Sequence, residues 1–459
     1  VIVLVVLILL LAGVGMPLFA VLGGLTLIGY HADGTDLATM VIEIDGVASA
    51  PTLVAIPLFT FAGYVMAESK TPERLVRLAR ALVGWMPGGI SVAAVVACAF
   101  FTAFTGASGV TIIALGGLLF PILQREGFRE NFSLGLLTSG GSLGLLFPPS
   151  LPVILYGIIA QVDVDKLFNA ALLPGMLLVA FMAAYSAFAA LTTPEVQRHR
   201  FELGELVAAT RAAAWELPLP VIILTGIYGG FLTANEAATV TVVIVLMVEC
   251  LLYRDVRVGE LPGIAKKSVV LVGAILLILG VALGLTNYLI LEEVPDKVLG
   301  FIQGNVESRV GFLLALNVFL LVVGCLLDIF SAIIVVVPLI VPLANAYGVD
   351  PLHLGVIFLT NLEIGYLTPP VGMNLFLSSF RFGRPLPQLY VASLPFIGVL
   401  LVALGIITYV PELTLGFAAT PPAVTEPTTN SSPDPAPEPT LEATAEPTTA
   451  TITTATTAP

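Results

Sequence analysis

The run GSLGLLFPPSLPVILYG (141–157) is apolar enough to enter a membrane, yet Pro148 and Pro149 sit in its middle. Adjacent prolines remove two backbone donors and break a helix. In lipid, each unpaired backbone group costs several kcal/mol, so broken backbone survives at membrane depth only where protein or a cavity surrounds it. The break also recurs. One constant offset lays FPILQREGFRENFSLGLLTSGGSLGLLFPPS (120–150) over VPLIVPLANAYGVDPLHLGVIFLTNLEIGYLTPPV (337–371) without a gap. Pro121 falls on Pro342, Gly127 on Gly348, Gly144 on Gly365, Leu146 on Leu367, and Pro148-Pro149 on Pro369-Pro370. Most of these matched residues are helix breakers, so a broken element has been duplicated.

Composition sets the solvent. Of 459 residues, 58% are hydrophobic and 11% charged, against roughly 25% charged in soluble domains. Many apolar segments approach the roughly 20 residues that a spanning helix needs. The fold class expected is an all-α polytopic membrane protein. Two adjacent pairs, 90–105 with 108–124 and 310–326 with 329–345, are joined by only two or three residues. They read as re-entrant helical hairpins, each followed by one of the broken helices. The domains expected are N-terminal scaffold helices with an amphipathic arm (1–90), a first transport repeat (91–165), central scaffold helices (166–305), a second transport repeat (306–385), a C-terminal helix (386–415) and a disordered tail (416–459). The tail is rich in Thr, Pro and acidic residues and cannot bury a core.

Basic residues orient the loops. Clusters at Lys70–Arg80, Arg125–Arg129, Arg198–Arg211, Arg254–Lys267 and Arg381–Arg384 read as cytoplasmic. HADGTDLATMVIEIDG (31–46) and ANAYGVDPLH (344–353) lack Lys and Arg and read as external loops. In ERLVRLARALVG (73–84), Leu75, Leu78, Ala79 and Leu82 share one helical face with Arg74, Arg77 and Arg80 off it, the pattern of an interfacial helix. After Arg384 there is no Lys or Arg, so the tail is expected outside. QREGFREN is basic where its repeat partner ANAYGVDPLH is not, and SSFRFGRP carries two Arg where AQVDVDKLFN carries one Lys against two Asp. The two copies therefore read as inverted, the arrangement of secondary transporters with a midplane site. The net charge of −13 is spread over tail and loops and points to no nucleic acid. Cys98, Cys250 and Cys325 show no CxxC spacing, and His31, His199 and His353 no metal-ligand spacing.

The chain resembles the large membrane subunit (DctM family) of tripartite ATP-independent periplasmic (TRAP) transporters across about residues 1–415. The resemblance is carried by IPLFTFAGYVMAES (56–69), ERLVRLARALVG, FTGASGVTIIALGG (104–117), GSLGLLFPPSLPVILYG, LTANEAA (232–238), DIFSAIIVVVPLIVP (328–342) and NLEIGYLTPPVGMNLF (361–376). It implies a sodium-coupled, elevator-type importer of an organic acid in the bacterial inner membrane. It also implies a separate small four-helix membrane subunit and a periplasmic binding protein that delivers the substrate. Na+ is the coupling ion, and no other cofactor is implied. Many members carry Gly-Ser-Ser at the first hairpin tip, whereas this chain has Gly106-Ala107-Ser108-Gly109, one hydroxyl fewer.

Glycine frees backbone carbonyls, and Ser or Thr adds hard oxygen ligands. A first sodium site is expected between the tip (Gly106, Ser108, Gly109, Thr111) and the break (Ser139, Gly140, Gly141, Ser142). Small residues packing helices closely is the bland alternative. A second site is expected from Asp328, Ser331, Asn361, Gly365 and Thr368. Asp328 is the most informative of these, because ionisable groups inside membranes are rare and usually functional; a solvated hairpin cap is the alternative. Glu363 is also expected inside the membrane, as a scaffold hydrogen-bonding group or a functional one. Substrate contacts are expected from Ser108, Ser150, Asp328 and Asn374, and helix breaks at Gly144, Pro148, Pro149, Pro369 and Pro370. No Arg stands in either tip, so an anion would be met by hydroxyls, backbone N–H groups and sodium itself. Enzymatic use of Ser108 or Asp328 lacks a second catalytic partner at recognisable spacing, and no ATP motif is present. A stand-alone carboxylate transporter coupled to sodium or protons is the other reading of the same architecture.

Overall fold

The computed structural model describes residues 2–418 apart from 14–15, 49–50, 87, 194–200, 230, 295–296, 298, 301–303, 305 and 307. Arg198, His199, Arg200 and the tail beyond 418 lie outside the described residues. The described residues form helices joined by turns, with no strand among them. Among them, seven helices are long and apolar enough to cross a membrane: Ser108–Arg125, Val164–Leu191, Ala234–Leu252, Val258–Leu291, Arg309–Leu326, Ile329–Ala346 and Leu386–Tyr409.

The N-terminal region holds α1 (Ile2–Gly13), α2 (Leu18–Asp33), α3 (Ala38–Ala48), α4 (Ala55–Glu68) and the arm α5 (Thr71–Val83). Pro17 takes an extended ψ of 138° ahead of α2 and separates it from α1. One expectation is corrected here. The segment 31–46, expected as a loop, holds most of α3, whose Met40 is buried. The arm also differs in detail. Leu75, Val76 and Ala79 face inward, Leu82 is exposed, and Arg74 turns in rather than out.

The first repeat comprises α6 (Gly89–Thr105), α7 (Ser108–Arg125), α8 (Glu130–Gly140) and α9 (Leu151–Ile159). Next come α10 (Val164–Leu191), α11 (Leu203–Ala212), α12 (Pro218–Tyr228), α13 (Ala234–Leu252) and α14 (Leu261–Leu291). The second repeat comprises α15 (Arg309–Leu326), α16 (Ile329–Ala346), α17 (Pro351–Gly365) and α18 (Met373–Phe382), followed by α19 (Leu386–Tyr409) and α20 (Glu412–Ala418). α20 runs into the segment expected to be disordered from 416.

The duplication read from the prolines is geometric. The offset that lays Pro342 on Pro121 also lays Ile329, the start of α16, on Ser108, the start of α7. It lays Pro351, the start of α17, on Glu130, the start of α8. Gly127 and Gly348 both have positive φ, 89° and 69°, at matched turns where side chains are strained. Both Pro-Pro bonds are cis. The repeats interlock: the first hairpin arm of each packs on its own broken helix (α6 on α8, α15 on α17), while α9 crosses to α16 and α18 to α7. The other bundle is built on α14, which packs on α2, α3 and α4, with α13 against α4. The LTANEAA motif forms that corner. Thr233 and Glu236 make a reciprocal capping box at the start of α13, while Asn235 Oδ1 accepts from the Ala55 N–H at 3.1 Å and begins α4. α10 packs on α6, α17 and α19, among the repeats.

Candidate functional site

The two hairpins end facing each other. Gly106 closes α6 in the left-handed region (φ 62°), its N–H donating to Thr102 O at 2.8 Å. That conformation is routine only for glycine. Ala107 is extended, and Ser108 starts α7. At the other tip, Asp328 caps α16. Its Oδ1 accepts from the Phe330 and Ser331 N–H groups at 3.1 Å each, and its Oδ2 accepts from the Ser331 hydroxyl. The Tyr366 hydroxyl accepts from the Ile329 N–H at 2.5 Å, tying this tip to the second break.

Between the tips lies a cavity of about 300 Å³. Ser108 and Asp328 line it, as do Gly106 and Gly109, Tyr366, Met373 and, from α14, Leu271. Both second hairpin arms, α7 and α16, present their N-termini here, where the helix dipole favours negative charge. Ser150 and Asn374 stand behind the wall. The Ser150 hydroxyl is spent on Leu145 O across the break. Asn374 Oδ1 accepts from Ser108 Oγ at 2.7 Å, and its Nδ2 donates to Thr138 O at 3.3 Å.

The residues of the first ion site converge in part. Thr102 Oγ1 lies 2.7 Å from Thr111 Oγ1, 2.8 Å from Cys98 O and 2.9 Å from Gly141 O, bringing both hairpin arms against the break. Gly141 also sits close to the Ser108 carbonyl, 3.3 Å from where a Cβ would stand. Ser139 and Ser142 are fully buried, but their hydroxyls donate locally, to Gly135 O at 2.6 Å and Ser139 O at 3.3 Å. Gly140 lies against Cys98, and Gly144 lets the break approach α6 at Ala103 and Thr102.

The second site divides between tip and seam. Asp328 and Ser331 are at the tip. On α17, Gly365 meets Gly324 of α15 so closely that a Cβ would stand 2.6 Å from the Gly324 backbone. Thr368 Oγ1 returns to Ile364 O at 3.0 Å. Asn361 donates both amide hydrogens, to Asn317 Oδ1 at 2.7 Å and Ile357 O at 2.8 Å. Its Oδ1 is buried and has no partner among the described residues. Glu363 is buried, and neither of its oxygens has a partner among the described residues. Thr102, Leu271, Asn317 and Tyr366 escaped the sequence reading. Asn317 and Thr102 carried a usable signal, since each is a polar residue inside an otherwise apolar segment.

The chain matches, over residues 1–413, the family described as the tripartite ATP-independent periplasmic transporter, DctM component. It belongs to the DctM family. The C4-dicarboxylate TRAP transporter large permease protein DctM of Pseudomonas aeruginosa is 35% identical over 393 residues, spanning 86% of this chain and 92% of that one. The isethionate TRAP transporter permease protein DctMQ of Oleidesulfovibrio alaskensis is 33% identical, over 88% of this chain and 64% of its own. The ectoine TRAP transporter large permease protein TeaC of Halomonas elongata is 28% identical, over 87% and 95%. The fold is similar to the crystal structure of the Alcanivorax borkumensis YdaH transporter, with a TM-score of 0.58 at 12% identity, covering 83% of this chain and 88% of that one. The chain is thus a multi-pass TRAP large permease subunit. Its relatives are named for three different solutes, so membership alone leaves the solute open.

Proposed function

We propose that this DctM subunit carries an organic acid across the bacterial inner membrane, driven by sodium, through the cavity between the two hairpin tips. The observation that carries the reading is the convergence of Thr111, Gly141 and the Ser108 carbonyl beside a cavity bounded by two helix N-termini. Hard, uncharged oxygens suit an alkali cation, and a cation there would offset the charge of a carboxylate that finds no Arg or Lys along the cavity. Each sodium entering down 100 mV releases about 2.3 kcal/mol, so one or two ions can drive accumulation without ATP.

In this reading the first site uses Gly106, Ser108, Gly109, Thr111, Ser139, Gly140, Gly141 and Ser142, and the second uses Asp328, Ser331, Asn361, Gly365 and Thr368. Ser108 and Asp328 meet the solute directly, with Ser150 and Asn374 supporting the wall. The repeats move as a carrier against the bundle on α14, and Leu271 is the fixed wall that the cavity passes. A small four-helix membrane subunit steadies that bundle, a periplasmic binding protein delivers the carboxylate, and the tail leaves on the periplasmic side. The names of its relatives make C4-dicarboxylates the first solutes to try.

The test is uptake into proteoliposomes holding the chain with its small subunit and binding protein. Uptake of one carboxylate that needs both a sodium gradient and the binding protein supports the proposal. Uptake unchanged without sodium overturns the coupling, and uptake indifferent to the binding protein identifies a stand-alone transporter.

A further inference from the structure

A buried amide chain runs along the seam between α15 and α17. Its polarity can be assigned without ambiguity. Ile357 O is a carbonyl and can only accept, so the Asn361 atom 2.8 Å away is the nitrogen. The Asn317 atom 2.7 Å from that nitrogen is therefore an oxygen. The Asn317 nitrogen then faces Thr408 Oγ1 of α19 at 3.1 Å. All three side chains are buried, Asn361 and Thr408 completely. One acceptor is left over: Asn361 Oδ1, enclosed and without a partner among the described residues.

An orphaned amide oxygen at this depth is costly. Two asparagines that only fastened a seam could pair both amide ends; here one bond is made and one oxygen is left free. Asn361 lies one helical turn before Gly365 on the same face of α17, and Asn317 lies two turns before Gly324 on the same face of α15. The amide pair and the glycine contact thus share one seam, which ends at the Asp328 tip. α15 is otherwise strongly apolar, with a mean hydropathy of 2.3, where leucine would be the ordinary residue.

We propose that Asn317, braced by Thr408, is a positioning residue: it holds the Asn361 amide with its nitrogen occupied and its oxygen free for the second sodium ion. This rests on the proposed role of Asn361 at that site. The support is of the kind that outer-shell hydrogen bonds give metal ligands, whose loss typically costs 10–100-fold in affinity.

The experiment uses the purified full chain and sodium alone. Thermal stability is measured against sodium chloride with choline chloride holding the ionic strength constant, because an ion that binds only the folded state raises the melting temperature. Asn317→Leu is expected to move the midpoint of the sodium titration up about tenfold, read against its own melting temperature in choline, which falls because the buried Asn361 N–H loses its acceptor. Thr408→Val is expected to shift it in the same direction and Thr408→Ser to restore it, which a role in seam packing alone would not produce. These two variants carry the test if Asn317→Leu does not fold. A wild-type midpoint in Asn317→Leu, or in Thr408→Val, overturns the positioning role. A sodium response in the wild type that survives unchanged in Asn361→Leu overturns the second site and this inference with it. No sodium response in the wild type overturns the coupling itself.

Discussion

The hydroxyl of Ser108, at the tip of the first hairpin, donates to Asn374 Oδ1, in the second half of the second broken helix, at 2.7 Å. This bond joins the two repeats across 266 positions of sequence, and both residues are buried. Ser108→Ala leaves the Asn374 oxygen without its donor, at a cost of about 1–3 kcal/mol. Uptake should fall about tenfold. Asn374→Ala added to that variant should cost little more, since the shared bond is already gone. A double-mutant cycle on initial uptake rates measures this, and additive losses would show that the two residues act separately.

Gly63 of α4 faces the end of the first hairpin arm. A Cβ there would stand 2.7 Å from Phe104 O and from Thr105 Cα. Both are backbone atoms, so neither can swing aside. If the repeats slide past α4, this is a surface that must stay smooth. Gly63→Ala should slow uptake and Gly63→Leu should abolish it. Overpacking of this kind costs about 1–3 kcal/mol, so both variants should still purify as monodisperse protein. Wild-type uptake in Gly63→Leu would remove the sliding contact from the mechanism.

The positions of α16 and α17 relative to α7 and α8 were legible because prolines and glycines act locally. Each fixes its own backbone wherever it stands, so matched breakers gave matched helix starts. The same logic located Gly106 and the two breaks. Arg74 was misread because periodicity compares only residues within one helix. Its three acidic partners come from residues 216, 249 and 255, far along the chain. Thr102 and Asn317 were passed over for a similar reason. A single hydroxyl or amide in an apolar run gains meaning only when its partner, Gly141 or Asn361, is folded beside it. The segment 31–46 is helical in part where a loop is expected, because its apolar residues Met40, Val41, Ile42 and Ile44 matter more than its lack of basic ones; α3 presents them toward α14 in part.

Arg74 fastens the arm. Its Nε bonds Glu216, Nη1 lies 2.5 Å from Asp255 and Nη2 3.1 Å from Glu249, with the Tyr253 ring 4.0 Å away. Removing the cation strands buried carboxylates, so Arg74→Ala should cost about 3 kcal/mol. Arg74→Lys should recover little, because one ammonium cannot match three directions. The pH dependence follows from Glu216, whose pKa burial pushes above the usual carboxylate range against the pull of Arg74. A carboxyl with a raised folded-state pKa contributes stability that is present at acidic pH and lost as pH rises through that value. Without Arg74 the rise is larger. The gap in melting temperature between Arg74→Ala and wild type should therefore be widest at pH 8 and narrow towards pH 5. A gap that widens on acidification would contradict this account.

Glu363 lies within α17 with both carboxyl oxygens buried and unpartnered among the described residues. A polar group left in that condition lowers stability by about 1–3 kcal/mol. Leucine has nearly the same bulk and no polar atom, so Glu363→Leu should raise the melting temperature by the corresponding amount. If the side chain only filled space, uptake would be unchanged or improved. Ionisable groups kept inside membranes against such a cost mark ion or solute pathways, and stabilising replacements at such positions commonly reduce function. The expected outcome is a more stable protein with uptake reduced at least about tenfold, and Glu363→Gln falling between. Melting curves and uptake on the same preparations decide it. A stabilised variant with full uptake would leave Glu363 without a transport role. A destabilised one would mean that its oxygens bind a partner in the membrane, for which a water or an ion is the first candidate to seek.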